Sequence, residues 1–159
     1  MKNLLLAGIL GAAISVSCST AKTAQSNKAE FLKLKGNWEI ASVDYDKNFK
    51  VKPFDEGADA QCFVGSQWKL IPNNWTGSYA LNGGGDCPSV MQPIKFEVVN
   101  GSEFKFKKLV EGSKAKAVTV GYSLNLVSQT ADGFSLEQNI PSDGENVRIV
   151  YNFVRSGMN

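Results

Sequence analysis

The chain has 159 residues, enough for one domain of ordinary size, and its 43% hydrophobic share is typical of a globular fold. Its 17 basic and 15 acidic residues leave a net charge of +2, and the lysines and arginines are scattered, so there is no nucleic-acid footprint and no implied acidic substrate. There is no histidine, which excludes Ser-His-Asp and Cys-His nucleophiles and histidine metal sites.

In chain order, the first feature is Lys2 followed by an apolar run over 4–16, then Ser17 and Cys18. A charged start, a short apolar stretch and small residues before a cut describe a secretory signal. The run is shorter than the roughly 20 residues of a comfortable membrane-spanning helix. A buried core helix is the alternative. Ser15-Val16-Ser17-Cys18 resembles the lipobox of bacterial lipoproteins. The resemblance implies cleavage before Cys18, whose thiol then carries a diacylglycerol. Two acyl chains on one residue anchor stably where one binds marginally. Ser15 departs from the usual aliphatic residue, and an ordinary signal cut elsewhere is the competing reading. Ser19 is not acidic, and 19–30 carry no acidic cluster, so by resemblance to lipoprotein sorting the tether faces the periplasm from the outer membrane. The expected organisation is a signal peptide over 1–17, a lipidated flexible tether over 18–30, and a folded domain over 31–159. A helical turn over 29–34 is expected to cover one mouth of that domain.

From Gly36 onward, Gly, Asn, Asp and Pro break the chain about every 8 to 12 residues, and the runs between them alternate with period two. The pattern predicts strands over 36–45, 66–71, 75–81, 94–99, 103–109, 117–129, 134–140 and 147–155. A long loop, 46–65, carries Asp55, Glu56 and Asp59, and a glycine-rich loop spans 82–93. Asn100-Gly101 and Asp132-Gly133 are tight-turn signals. The alternation sets Trp75, Gly77, Tyr79 and Leu81 on one face, and likewise Ile94, Phe96 and Val98; Phe104 and Phe106; Val118, Val120, Tyr122, Leu124 and Leu126; and Val147, Ile149, Tyr151 and Phe153. Almost every strand has one dry face. Eight such strands joined by hairpins give an all-β, eight-stranded antiparallel up-and-down barrel, and closure removes the unpaired edges that invite aggregation.

Cys62 and Cys87 would fold in an oxidising compartment, where a disulfide is the default. It would close a loop of about 25 residues and contribute roughly 3 kcal/mol. Two sulfurs without histidine do not hold zinc; a pair of buried unlinked thiols is the alternative. Gly36-Asn37-Trp38 opens the first strand and Arg155 closes the last on the parity of Tyr151 and Phe153. If those strands pair, Trp38 plugs the floor, Arg155 lies across its ring as a cation–π partner, and Gly36 lets the chain pass close beneath. The alternative makes Trp38 ordinary core and Arg155 an exposed terminal charge.

Together these residues resemble the lipocalin signature: Gly-x-Trp at the start of the first strand, an eight-stranded up-and-down barrel, and an arginine near the end of the last strand. More closely, the order of lipobox, tether and barrel is similar to the lipocalin-like domain of bacterial lipoproteins. The resemblance covers roughly 32–155. The usual motif after the sixth strand is only partly matched by Thr130-Ala131-Asp132-Gly133, and 156–159 leave no room for a following helix.

No catalytic residue, metal site or cofactor is implied. Asp55, Glu56 and Asp59 lack EF-hand spacing, and loop carboxylates are usually solvated. Gly83-Gly84-Gly85 does not lead from a strand into a helix, so it is not a phosphate cradle. An eight-stranded barrel is just wide enough to hold one small ligand or to be filled by side chains. Trp68, Leu70, Tyr79, Phe96, Phe106, Tyr122, Leu124 and Tyr151 would line it, apolar with polar tips. The expected function is therefore a non-catalytic, monomeric binder of a small hydrophobic molecule, with the membrane as a partner through its anchor. The alternative is a filled barrel acting as a protein-interaction module of the envelope through the acidic and glycine loops.

Overall fold

The computed structural model describes residues 33–157. Cys18, the signal segment, the tether and most of the expected helical turn lie outside them. Eight strands follow one another: β1 Gly36–Asp44, β2 Gln67–Ile71, β3 Thr76–Gly84, β4 Cys87–Val99, β5 Glu103–Lys108, β6 Tyr122–Gln129, β7 Gly133–Ser142 and β8 Glu145–Arg155. Each pairs antiparallel with the next, and β8 pairs with β1 to close the barrel. Closure leaves no free sheet edge. The alternating faces fall as the sequence pattern requires, with Ile94, Phe96, Phe104, Phe106, Ile149, Tyr151 and Phe153 buried inside.

Two strand boundaries differ by five residues or more from the sequence reading. Residues 87–93, expected as loop, belong to β4, and Gly84 pairs with Cys87 across a tight turn. Pro88 and Pro93 argue against a central strand. They are accommodated because β5 pairs only with Ile94–Val99, so this half of β4 has β3 as its one ladder partner. Residues 117–121, expected to open the sixth strand, do not join it. A 3-10 turn at Ala115–Ala117 precedes β6, and Val120 is 56% exposed rather than inward. The apolar alternation continues there without a cross-strand partner.

The floor of the barrel is built at the β1–β8 seam. Trp38 stands opposite Arg155 in the ladder. The Trp38 ring is buried, donates its Nε1–H to the Leu34 carbonyl at 2.8 Å, and meets Phe134 edge-on at 4.8 Å between centroids. The Arg155 guanidinium lies 4.3 Å from the Trp38 ring centre. Its nitrogens donate to the carbonyls of Ala131 at 2.9 Å and of Lys35 and Lys33, each at 3.2 Å. One planar cation thus joins the turn before β7, the approach to β1 and the end of β8, using a fork that lysine lacks. Arg155 remains exposed, so it caps the end of the barrel rather than entering it. Gly36 has φ of 137°, and a Cβ there would come 2.8 Å from Arg155 Nη1. The close approach and the backbone conformation both require glycine.

Arg155→Ala should lower unfolding stability by about 1–2 kcal/mol, with Arg155→Lys recovering less than half. Gly36→Ala should destabilise the native chain more than it destabilises the Arg155→Ala variant, because the steric part of its cost needs the guanidinium. Urea denaturation of the double-mutant cycle measures this, and strictly additive effects would contradict the clasp.

Candidate functional site: a chamber closed by an internal strap

The long connection between β1 and β2 is not a solvated acidic loop. Val51, Phe54, Ala58, Ala60 and Phe63 are buried, and the segment folds into the open end of the barrel opposite the Arg155 clasp. Two short 3-10 turns, Pro53–Asp55 and Ala60–Phe63, shape it. Phe54 and Asp55 both have left-handed backbone, with φ of 59° and 52°. That conformation costs a non-glycine residue roughly 1 kcal/mol or more. It drives the Phe54 side chain down into the barrel.

Phe54 stands at the centre of an aromatic cluster. Its ring centroid lies 5.1 Å from Phe106, 5.3 Å from Phe63, 5.5 Å from Tyr122 and Tyr151, and 6.5 Å from Trp68. Tyr79 stacks on Trp68 at 4.6 Å. Of the residues expected to line the interior, Trp68, Leu70, Tyr79, Phe96, Phe106, Leu124 and Tyr151 are buried in this core, and Tyr122 is half-buried at the mouth. Trp68, Phe106, Tyr122 and Tyr151 touch Phe54 directly. Phe96 lies nearer the floor, stacked on Phe104 at 5.3 Å. Phe54 and Phe63 escaped the sequence reading because they follow no strand period. A long connection holding Val51, Phe54 and Phe63 among scattered alanines was nonetheless a signal, since long structureless loops are uncommon in compact domains.

The strap is held by side chains. The Glu56 carboxylate accepts from the Tyr79 hydroxyl and from Lys108 Nζ, the latter at 2.9 Å. Lys108 Nζ also donates to the Phe54 carbonyl at 2.9 Å. The Tyr122 hydroxyl donates to Asp55 at 2.8 Å and the Tyr45 hydroxyl to Asp59 at 2.9 Å. The three loop carboxylates therefore turn to three separate phenols instead of forming an outward acidic surface or converging on a cation. Cys62 and Cys87 form a disulfide that ties the strap to the start of β4. Of the expected glycine loop, Asn82, Gly83 and Gly84 end β3 and only 85–86 form the turn beside this bridge. Lys108 was not singled out from sequence, and Glu56 was read only as a solvated loop carboxylate; Lys108 lies 54 residues from Phe54 and 52 from Glu56, and the fold brings them together.

All four tyrosines are held above the ordinary phenol value of 10.0, first by burial. Hydrogen bonds and charge from Asp59, Glu56 and Asp55 add to this at Tyr45, Tyr79 and Tyr122 respectively. The hydroxyls are thus committed donors. Two open concavities adjoin the barrel. One, of about 710 Å3, runs over β4 and β5 past Lys95, Lys105 and Lys107 and reaches Phe96, Phe106 and Tyr122 of the expected lining. The other, of about 400 Å3, sits by Tyr45, Phe49 and Arg148. Neither is lined by Phe54, Trp68, Tyr79 or Tyr151.

With this geometry in view, the closed barrel and its Trp38–Arg155 clasp define a lipocalin-like fold. A lipocalin-like protein from Bacteroides uniformis superimposes with a TM-score of 0.50 and 12% identity, covering 78% of this chain and 99% of that one. A bovine odorant-binding protein in complex with a selenium-containing odorant matches with a TM-score of 0.45, 10% identity, and coverage of 80% and 73%. No protein-family model and no curated protein sequence matches the chain.

Because the raised phenols favour the neutral form only in the folded state, their stabilisation is complete below pH 10.0 and is lost as pH rises above it, where the unfolded chain ionises first. A 295 nm titration should show no early phenolate from Tyr79 or Tyr151, then ionisation together with cooperative unfolding. Ionisation of these two near pH 10.0 with the barrel intact would contradict the burial described.

Proposed function

We propose that this protein is a non-catalytic, lipid-anchored, lipocalin-like carrier that holds a small hydrophobic molecule inside its barrel. The observation that carries the reading is that the centre of the aromatic chamber is filled by Phe54, a loop residue, and not by a strand residue. Apart from Ile40, whose N–H and carbonyl bond Ser66 and Gly65 at the strap's base, the barrel holds the strap through side chains and the disulfide. Phe54 can therefore withdraw without unzipping a ladder. The space it leaves has aromatic walls and committed hydroxyl donors, which suits an apolar body with a polar end. Left-handed backbone at Phe54 and Asp55 lowers the cost of withdrawal.

Cys18 is the proposed lipid site, and the lipobox-like 15–18 with non-acidic Ser19 supports an outer-membrane anchor facing the periplasm. A barrel with every strand paired on both sides supports a monomer. Mass spectrometry of the membrane fraction of the native host should find a diacylglycerol on Cys18, and Cys18→Ala should release the protein; an unmodified, soluble native protein would overturn the anchor. A second reading, an interaction module of the envelope, is favoured by the filled interior. Its contact surface would not be the acidic loop, whose carboxylates are engaged within the fold.

A neutral apolar dye, N-phenyl-1-naphthylamine, decides between the readings. Phe54→Ala should bind it about tenfold more tightly than wild type because the internal competitor is gone, and adding Tyr151→Ala should reduce that gain. Absence of binding in both wild type and a folded Phe54→Ala variant would overturn the interior site and favour the filled module.

A further inference from the structure

We infer that the ligand is an amphiphilic carboxylate, an apolar body ending in one anion, and that Phe54–Glu56 is its internal stand-in. The inference rests on the proposed function, in which the ligand takes the place of Phe54. The segment has the two parts of such a molecule. An aromatic ring occupies the chamber among Phe106, Tyr122, Tyr151 and Trp68. Two residues on, the Glu56 carboxylate sits at the mouth, its side chain only 9% exposed, between the Tyr79 hydroxyl and Lys108 Nζ.

Withdrawal of the strap sets these donors free together. Lys108, whose side chain is 22% exposed, loses both the Glu56 carboxylate and the Phe54 carbonyl. Tyr79, wholly buried, loses its one hydrogen-bond acceptor in the closed state. A neutral apolar ligand would then cover a cation and a phenol with nothing to accept from them, and leaving such groups unpartnered is unfavourable. A ligand carboxylate restores both contacts, and charge-assisted hydrogen bonds are the stronger kind. A cationic ligand would meet Lys108 head-on. Asp55 and Glu56 leave with the strap, so neither of these two carboxylates remains to repel the incoming anion, and Asp59 stays engaged with Tyr45. The mouth thus selects by charge while the chamber selects by apolarity, and the ligand competes with Glu56 for the same donors.

Calorimetric titration of purified protein with decanoate and decanol at neutral pH tests this, in wild type and in Phe54→Ala. Decanoate should bind about tenfold or more tightly than decanol. Lys108→Met should bring the ratio close to one. Glu56→Gln keeps an amide in place but removes the competing anion, and should strengthen decanoate severalfold; circular dichroism checks that each variant is folded. Equal binding of both probes would overturn the carboxylate assignment while leaving the interior site standing. Binding of neither, in wild type and in Phe54→Ala, would overturn the interior site and this inference with it. A decanoate preference that survives Lys108→Met in a folded protein would overturn the role given to Lys108.

Discussion

A closed eight-stranded barrel has to have its inside filled, and in this protein the strands do not fill it alone. Their inward side chains leave a central place among Trp68, Phe106, Tyr122 and Tyr151, and a segment between the first two strands supplies Phe54 to occupy it. An empty space of that size would forfeit dispersion contacts on every side. The strap is therefore both a structural element and the occupant of the place that the proposed ligand would take.

The two ends of the barrel are built on different principles. At the floor, Arg155 joins three backbone segments and covers Trp38, and the geometry is fixed by planar guanidinium and indole faces. At the mouth, the closing contacts are side-chain hydrogen bonds to Asp55, Glu56 and Asp59, backed by left-handed backbone at Phe54 and Asp55. The disulfide from Cys62 to Cys87 fastens the far end of the strap but leaves Phe54 eight residues away along the chain. Such an arrangement would hold the barrel during the strap movement proposed above. Opening the mouth exchanges partners for partners, since Tyr79 and Lys108 need an acceptor in either state.

Much of this was legible in the sequence, because strands with one dry face write their period into the residues. Ile94-Lys95-Phe96-Glu97-Val98 could hardly be anything else, and Trp38 and Arg155 were recognisable from their places in the first and last strands. The cysteine pair followed from compartment chemistry. The pattern failed where local order depends on partners. Pro88 and Pro93 looked like breakers because an overhanging half-strand with one neighbour is a tertiary circumstance. Val118 and Val120 looked like strand because alternation does not reveal that the β5–β6 ladder stops at Phe106 and Tyr122. The strap was the largest omission: Asp55, Glu56 and Asp59 read as solvated charges, and only the fold shows that each faces a phenol. Lys108 was indistinguishable from its neighbours Lys105 and Lys107 until the barrel brought Glu56 to it.

Whether the chamber truly exchanges its internal occupant for an external one is read by fluorine NMR on protein carrying 4-fluorophenylalanine at position 54 alone. In the closed state a single resonance shifted by the surrounding rings is predicted. On titration with decanoate, that signal should lose intensity in step with binding, while a second grows near the position of a solvent-exposed ring. Saturation by decanoate with the Phe54 resonance unmoved would show that the aromatic place stays filled, and that the molecule binds elsewhere.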